Sequence, residues 1–325
     1  MSENILTVRN LDMGFPTGGG FFGKPTGIVR AVDDVSFTVK RGETFGVVGE
    51  SGSGKTTLGR CIMRILEPSG GSIQFEREDG NAIELVDGDK AKLQTFWRDV
   101  RMVFQDPQSS LNPRLPIIEI VGQALRKSGT PNDQIADTVR DLLAKVGLRP
   151  EMLHRYPGAF SGGQRQRIGI ARALATNPDL VIADEAVSAL DVSIQAQTLN
   201  LLQDLQEAFD LTYVFIAHDL AVVEHIADRV AVMYLGQIVE LADCDTLFAD
   251  PRHPYTRALL SAVPVADPRK RKPRGSVPKG EISWTNRGCK FASRCPHATD
   301  LCRETRPPVK QVGGADVLCH YAGEV

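Results

Sequence analysis

Eight residues constrain this chain more than any others. Gly49-Glu50-Ser51-Gly52-Ser53-Gly54-Lys55-Thr56 fits G-x-x-x-x-G-K-[ST] without a mismatch. An apolar run (Phe45, Val47, Val48) marks a buried strand over Thr44 to Val48, and a helical pattern follows from about Lys55 to Leu66. Glycines at this spacing let the backbone curl until its N–H groups point at phosphate oxygens. The helix N-terminus adds partial positive charge at the same place. Across Gly49 to Thr57, Lys55 is expected to reach the β and γ phosphates of a nucleotide, and the Thr56 hydroxyl to hold Mg²⁺. A plain glycine turn with a surface lysine is the alternative, and the strand–turn–helix context disfavours it.

A second acidic feature supports a nucleotide. Leu180-Val181-Ile182-Ala183-Asp184-Glu185 is an apolar strand that ends in two carboxylates. Two adjacent charges at a strand end are costly unless a cation or a reacting water is beside them. Asp184 suits the Mg²⁺ shell, and Glu185 suits a general base that polarises the attacking water.

The class follows from Phe160-Ser161-Gly162-Gly163-Gln164-Arg165-Gln166-Arg167. Here the chain resembles the ATP-binding-cassette ATPases, whose signature is a Ser-Gly-Gly-Gln turn opening a helix. The resemblance implies that Ser161, Gly162, Gly163 and Gln164 close over ATP held by a partner subunit. It also implies that Gln105 is the Q-loop glutamine reaching Mg²⁺ and the attacking water. By the same resemblance Ser188-Ala189-Leu190-Asp191 is the D-loop, with Asp191 part of the nucleotide site, and His218 is the switch histidine contacting the γ-phosphate. Phe15 is the implied adenine-stacking ring, with Phe21 and Phe22 as competitors. The implied fold class is α/β, an ABC-type P-loop core with a mixed sheet plus an antiparallel β subdomain. An inserted helical subdomain (about 106–160) and a small Cys-rich C-terminal extension complete it.

Three further features narrow the resemblance to oligopeptide/dipeptide importers. They are Phe104-Gln105-Asp106-Pro107-Gln108-Ser109-Ser110-Leu111-Asn112-Pro113-Arg114, His253-Pro254-Tyr255-Thr256-Arg257-Ala258-Leu259-Leu260 and a four-cysteine tail. The implied domains are a nucleotide-binding domain over 1–263 and a transporter C-terminal domain over 264–325. The implied partners are a sister ATPase (the insert Thr17 to Gly27 favours a heterodimer), two transmembrane permeases and an extracytoplasmic solute-binding protein. ATP hydrolysis would then drive import of peptides or a related solute. Ala186, where proline is usual, departs from the family without removing a catalytic group. A soluble cassette ATPase acting on ribosomes or DNA, and a nucleotide-gated regulatory module, are the alternatives.

Composition sets the remaining bounds. Lys plus Arg (38) against Asp plus Glu (40) gives a net charge of −2, so there is no basic footprint for nucleic acid. The run Arg269 to Arg274 reads as a solvated basic linker. No stretch is apolar enough to span a bilayer, and MSENILTVRN lacks a secretion signal. The expected location is therefore peripheral, on the cytoplasmic face of the bacterial inner membrane. Cys289, Cys295, Cys302 and Cys319 are spaced C-x5-C-x6-C-x16-C, in a tail too short to build its own core. Four thiolates suit a [4Fe–4S] cluster, which the importer resemblance favours. Zn²⁺ and free buried thiols remain open, with His297 and His320 as neighbouring substitutes.

Overall fold

The computed structural model describes residues 3–18, 27–188, 190–262 and 287–325. In chain order the elements begin with β1 (Asn4–Thr17), β2 (Gly27–Lys40), β3 (Thr44–Val48), α1 (Lys55–Ile62), β4 (Gly70–Glu76) and β5 (Ala82–Glu84). Next come α2 (Lys90–Asp99), β6 (Val100–Val103), α3 (Pro107–Ser110), α4 (Ile117–Lys127), α5 (Asn132–Lys145) and α6 (Gly162–Leu174). Then follow β7 (Leu180–Asp184), α7 (Val192–Phe209), β8 (Thr212–Ala217), α8 (Leu220–Ile226), β9 (Arg229–Tyr234) and β10 (Gln237–Asp243). The chain ends with α9 (Cys244–Ala249), α10 (Pro254–Ala262), α11 (Asp300–Glu304), β11 (Val309–Val312) and β12 (Ala315–Leu318). Phe21 and Phe22, Ala189 and the basic run Arg269 to Arg274 lie outside the described residues.

Two units make up the chain, one of Met1–Thr7, Thr38–Thr44 and Gln74–Ile216, the other of Val8–Phe37, Phe45–Ile73 and Ala217–Val325. In the first, β6, β7 and β8 are parallel neighbours, with Val103 beside Ala183 and Asp184 beside Ile216. Parallel neighbours need a crossover, and α7 supplies the one from β7 to β8. Both strands are buried throughout, hence their unbroken apolar runs. β4 and β5 pair antiparallel in the same unit, Phe75 facing Ile83. The helical stretch anticipated between Asp106 and Phe160 is present, and its prolines set the starts. Pro116 is the N-cap of α4 and Pro131 that of α5, each extended rather than helical. Ile117, Val121, Val139 and Leu143 form their buried face.

The second unit is built on β3, parallel to β9, with β10 antiparallel beside β9. Phe45, Val47, Val48 and Val230 to Met233 are at most 1% exposed and form its core. The C-terminal segment joins this sheet. β11 and β12 form a hairpin across Gly313 and Gly314, both with positive φ, and β12 pairs with β10 (Glu240 opposite Val317). The tail therefore buries Ala315 and Val317 on a shared sheet rather than in a core of its own. Helix α1 ends at Ile62, earlier than the expected Leu66, because Arg64 turns into the left-handed region at φ 54°. Among the described residues no helix is long and apolar enough to cross a membrane.

Candidate functional site

The phosphate loop lies in the second unit, between β3 and α1. Gly49, Gly52 and Gly54 have φ of 155°, 81° and 103°. Two of them are also needed for space. A Cβ on Gly54 would lie 2.0 Å from the Ala31 carbonyl oxygen, and one on Gly49 would lie 2.2 Å from that of Met233. Lys55, 4% exposed, donates through Nζ to the Gly49 carbonyl (2.8 Å) and the Glu50 carbonyl (2.9 Å) and lies 3.3 Å from Ser53 Oγ. A buried ammonium is thus held at the mouth of a glycine cradle, the donor set that a polyphosphate requires. Ser51 is exposed, and Thr56 and Thr57 are half-buried in the first turn of α1.

Phe15, 38% exposed on β1, is an available ring. His218 is exposed after β8, beside Asp219, whose side chain caps α8 by accepting the Ala221 amide at 2.9 Å.

In the first unit, β7 carries Asp184 at its end, 2% exposed. Glu185 follows with φ 47°, a left-handed conformation rare for a glutamate. Its amide donates to the Ile216 carbonyl at 2.9 Å, and its carbonyl accepts from the Ser188 hydroxyl at 2.9 Å. Gln105 Nε2 donates to Glu185 Oε2 at 2.7 Å. The structure brings this sequence-predicted pair together and fixes the direction of the carboxylate.

Ser161 is the N-cap of α6, in a reciprocal capping box. Its Oγ accepts from the Gln164 amide (3.3 Å), and its own amide donates to Gln164 Oε1 (3.0 Å). Each of the two side chains is therefore engaged with the other residue's backbone amide. Ser161 and Gly162 are exposed, whereas Gly163 is buried, and a Cβ there would meet Ile194 at 2.7 Å. Gly163 is thus favoured by helix packing against Ile194. Asp191 is exposed at the N-cap of α7 and makes no side-chain cap.

Cys289, Cys295, Cys302 and Cys319 line one cavity of about 20 Å³, with His253, His297 and His320 on its wall. All four are free thiols. Burial, with the neighbouring thiols, pushes Cys289 up to about 11 and raises Cys295 and Cys319. The structure does not support the expected metal site. Among the described residues no group of three or more His, Cys, Asp or Glu is set to hold a metal ion.

Sequence reasoning missed the residues that brace the loop. Glu50 is gripped by Arg294, and its amide donates to the Tyr255 hydroxyl at 2.9 Å. The only sequence signals were the His253-Pro254-Tyr255 run and the cysteines flanking Arg294.

A family model for ABC transporters matches residues 32–188, and one for the oligopeptide/dipeptide transporter C-terminal region matches 239–302. A probable peptide ABC transporter ATP-binding protein of Sinorhizobium fredii is 52% identical, over 98% of this chain and 90% of that protein. An oligopeptide transport ATP-binding protein of Bacillus subtilis is 49% identical, over 98% and 97%. A di/tripeptide transport ATP-binding protein of Pseudomonas aeruginosa is 45% identical, over 98% of both. A dimeric ATP-binding cassette in a post-hydrolysis state with ADP and Pi superposes with a TM-score of 0.64. It is 27% identical and covers 74% of this chain and 98% of that one. Near-full-length identity at this level, on a structure that keeps the glycine cradle, the buried lysine and the acid at the strand end, leads to one conclusion: the chain belongs to the ATP-binding proteins of peptide ABC transporters.

Proposed function

We propose that this chain hydrolyses ATP to drive peptide import through an ABC transporter. Proteins of this family are ATPases coupled to transport, and this chain is one of them. The observation that carries the reading is the Gln105–Glu185 pair. A carboxylate fixed by a left-handed backbone and a 2.7 Å hydrogen bond is fitted to orient and deprotonate a water. Lys55 and the Gly49–Thr57 backbone bind the phosphates, Phe15 stacks on adenine, and His218 contacts the γ-phosphate. Thr56, Gln105 and Asp184 are the residues that would hold Mg²⁺, which supplies charge neutralisation at the phosphates.

Ser161, Gly162, Gly163, Gln164 and Asp191 act on the ATP of a second ATPase, a heterodimer with a sister subunit. The dimeric cassette similar to this chain supports the pairing of two cassettes, though not the identity of the second. Two permeases and an extracytoplasmic binding protein complete the transporter, which puts this chain at the cytoplasmic face of the membrane. Peptide is the solute that the relatives' names support.

The four tail cysteines hold a [4Fe–4S] cluster in this reading. What supports it is that the four cysteines line one cavity, beside three histidines, and the cluster would supply a cross-link within the tail. Protein purified without oxygen is expected to be brown, with close to four irons per chain; colourless protein with stoichiometric zinc refutes the cluster. The transport reading is tested by ATPase turnover of the reconstituted complex with and without peptide-loaded binding protein. Stimulation by peptide is expected, and a rate indifferent to permeases and peptide would overturn it.

A further inference from the structure

Three contacts tie the phosphate loop to other segments of its own unit. The Gly236 amide donates to the Ser53 carbonyl at 2.8 Å. Tyr255, fully buried, accepts the Glu50 amide through its hydroxyl at 2.9 Å. Arg294 meets both carboxylate oxygens of Glu50, at 2.9 and 3.0 Å. The last two come from the C-terminal part of the chain, and neither is needed to form the loop's motif.

Glu50 occupies one of the unspecified positions of that motif. An uncompensated carboxylate there would repel a polyphosphate bound by the same loop. Arg294 cancels it with a two-pronged, charge-assisted pair, the strong form of this interaction. The guanidinium itself has little freedom. Its side chain is 11% exposed, it lies 5.7 Å from the Tyr234 ring centre and 6.0 Å from that of Phe291, and Nη1 is 3.4 Å from the Tyr234 hydroxyl. Tyr234, Tyr255 and Phe291 pack on one another with centroids 4.6 to 5.5 Å apart, so both braces grow from one aromatic cluster. The start of α10 is pinned in turn, because Glu240 accepts the amides of Arg252 (2.7 Å) and His253 (2.9 Å).

We propose that Arg294 and Tyr255 are positioning residues for ATP binding: together they neutralise and orient Glu50, so that the loop is preset for phosphate. The proposal rests on the reading that Gly49–Thr57 binds the phosphates of ATP. It gives the cysteine-bearing tail a direct part in nucleotide affinity, because Arg294 lies in the turn between Cys289 and Cys295.

The test is equilibrium MgATP binding by the full chain, with steady-state ATPase of the assembled transporter. Arg294→Ala is expected to weaken binding about tenfold (about 1.4 kcal/mol) and to raise KM, with kcat at saturating ATP within about twofold. Arg294→Lys restores part, since an ammonium brings charge without the fork. Glu50→Gln in the Arg294→Ala background restores at least about threefold of the affinity, because the repelling charge is gone. A rise in salt narrows the Arg294→Ala deficit for the same reason. Arg294→Met, which keeps the stem against the aromatic cluster, replaces the alanine variant if that variant melts early. Parental affinity in Arg294→Ala or Arg294→Met, or no rescue by Glu50→Gln, overturns the proposal. Parental MgATP affinity in Lys55→Ala would instead remove the phosphate-loop reading on which it rests.

Discussion

Replacing Asp179 with Asn should stabilise the protein at neutral pH while leaving catalysis alone. Asp179 stands just before β7, at the opposite end of the strand from Asp184 and Glu185. Its amide donates to the Asp99 carbonyl at 2.8 Å, and its carbonyl accepts the Thr212 amide at 3.1 Å, so the backbone fixes it in place. Burial, then the nearby charges of Glu78 and Asp99, pushes its carboxyl up from 3.8 to about 6, against the weaker pull of Arg41 and Arg77. Arg77 is already engaged by Asp99 at 2.7 Å and by Asp79 at 2.8 Å. The folded carboxyl titrates above its unfolded value. Its ionised form therefore costs nothing below about pH 4, and stability is lost as pH rises through about 6. At about 1.4 kcal/mol per pH unit the ceiling on that cost is about 3 kcal/mol. Water reaching this half-buried site reduces it to about 1–2 kcal/mol. Urea melts of parent and Asp179→Asn across pH 4 to 7.5 should show a gain of that size at pH 7.5, most of it gone at pH 4. ATP turnover should stay within about twofold. No gain at pH 7.5, or the same gain at both ends of the range, would refute the reasoning.

Gly54→Ala forces a left-handed alanine whose Cβ lies 2.0 Å from a backbone oxygen, so MgATP affinity should fall at least about tenfold in an equilibrium titration. Gln105→Ala removes the hydrogen bond that orients the Glu185 carboxylate, and kcat of the assembled transporter should drop about 10- to 100-fold with little change in ATP affinity. Ser161→Ala breaks the capping box and should cost about 1 kcal/mol, seen as faster amide exchange in the first turn of α6.

Local patterns carried most of the fold. The alternation of strand, helix, strand, helix and paired strands between Asp179 and Glu240 appears as β7, α7, β8, α8, β9 and β10. The phosphate loop was legible because its glycines, lysine and threonine are consecutive, and the Asp184–Glu185 pair because it ends an apolar run. What escaped was set by contacts distant in sequence. Arg294 lies 244 residues from Glu50 and Tyr255 lies 205 from it, so no periodicity could join them. The His253-Pro254-Tyr255 run was visible as a motif, but its use was not. The His253 amide is held by Glu240, and the Tyr255 hydroxyl holds the loop. The tail, judged too small for a core, borrows one by pairing β12 with β10, a choice that only strand register reveals. The left-handed Glu185 was likewise invisible, because nothing in the residue's chemistry requires that backbone.

Peptide-stimulated ATP hydrolysis by the reconstituted transporter, parent against Glu185→Gln, tests the central claim most directly. Glutamine keeps the shape of the side chain and removes the base. The account predicts that turnover falls about 10²- to 10⁴-fold while MgATP binding is retained and the subunit pair is trapped with nucleotide. Parental, peptide-stimulated turnover in Glu185→Gln would contradict it.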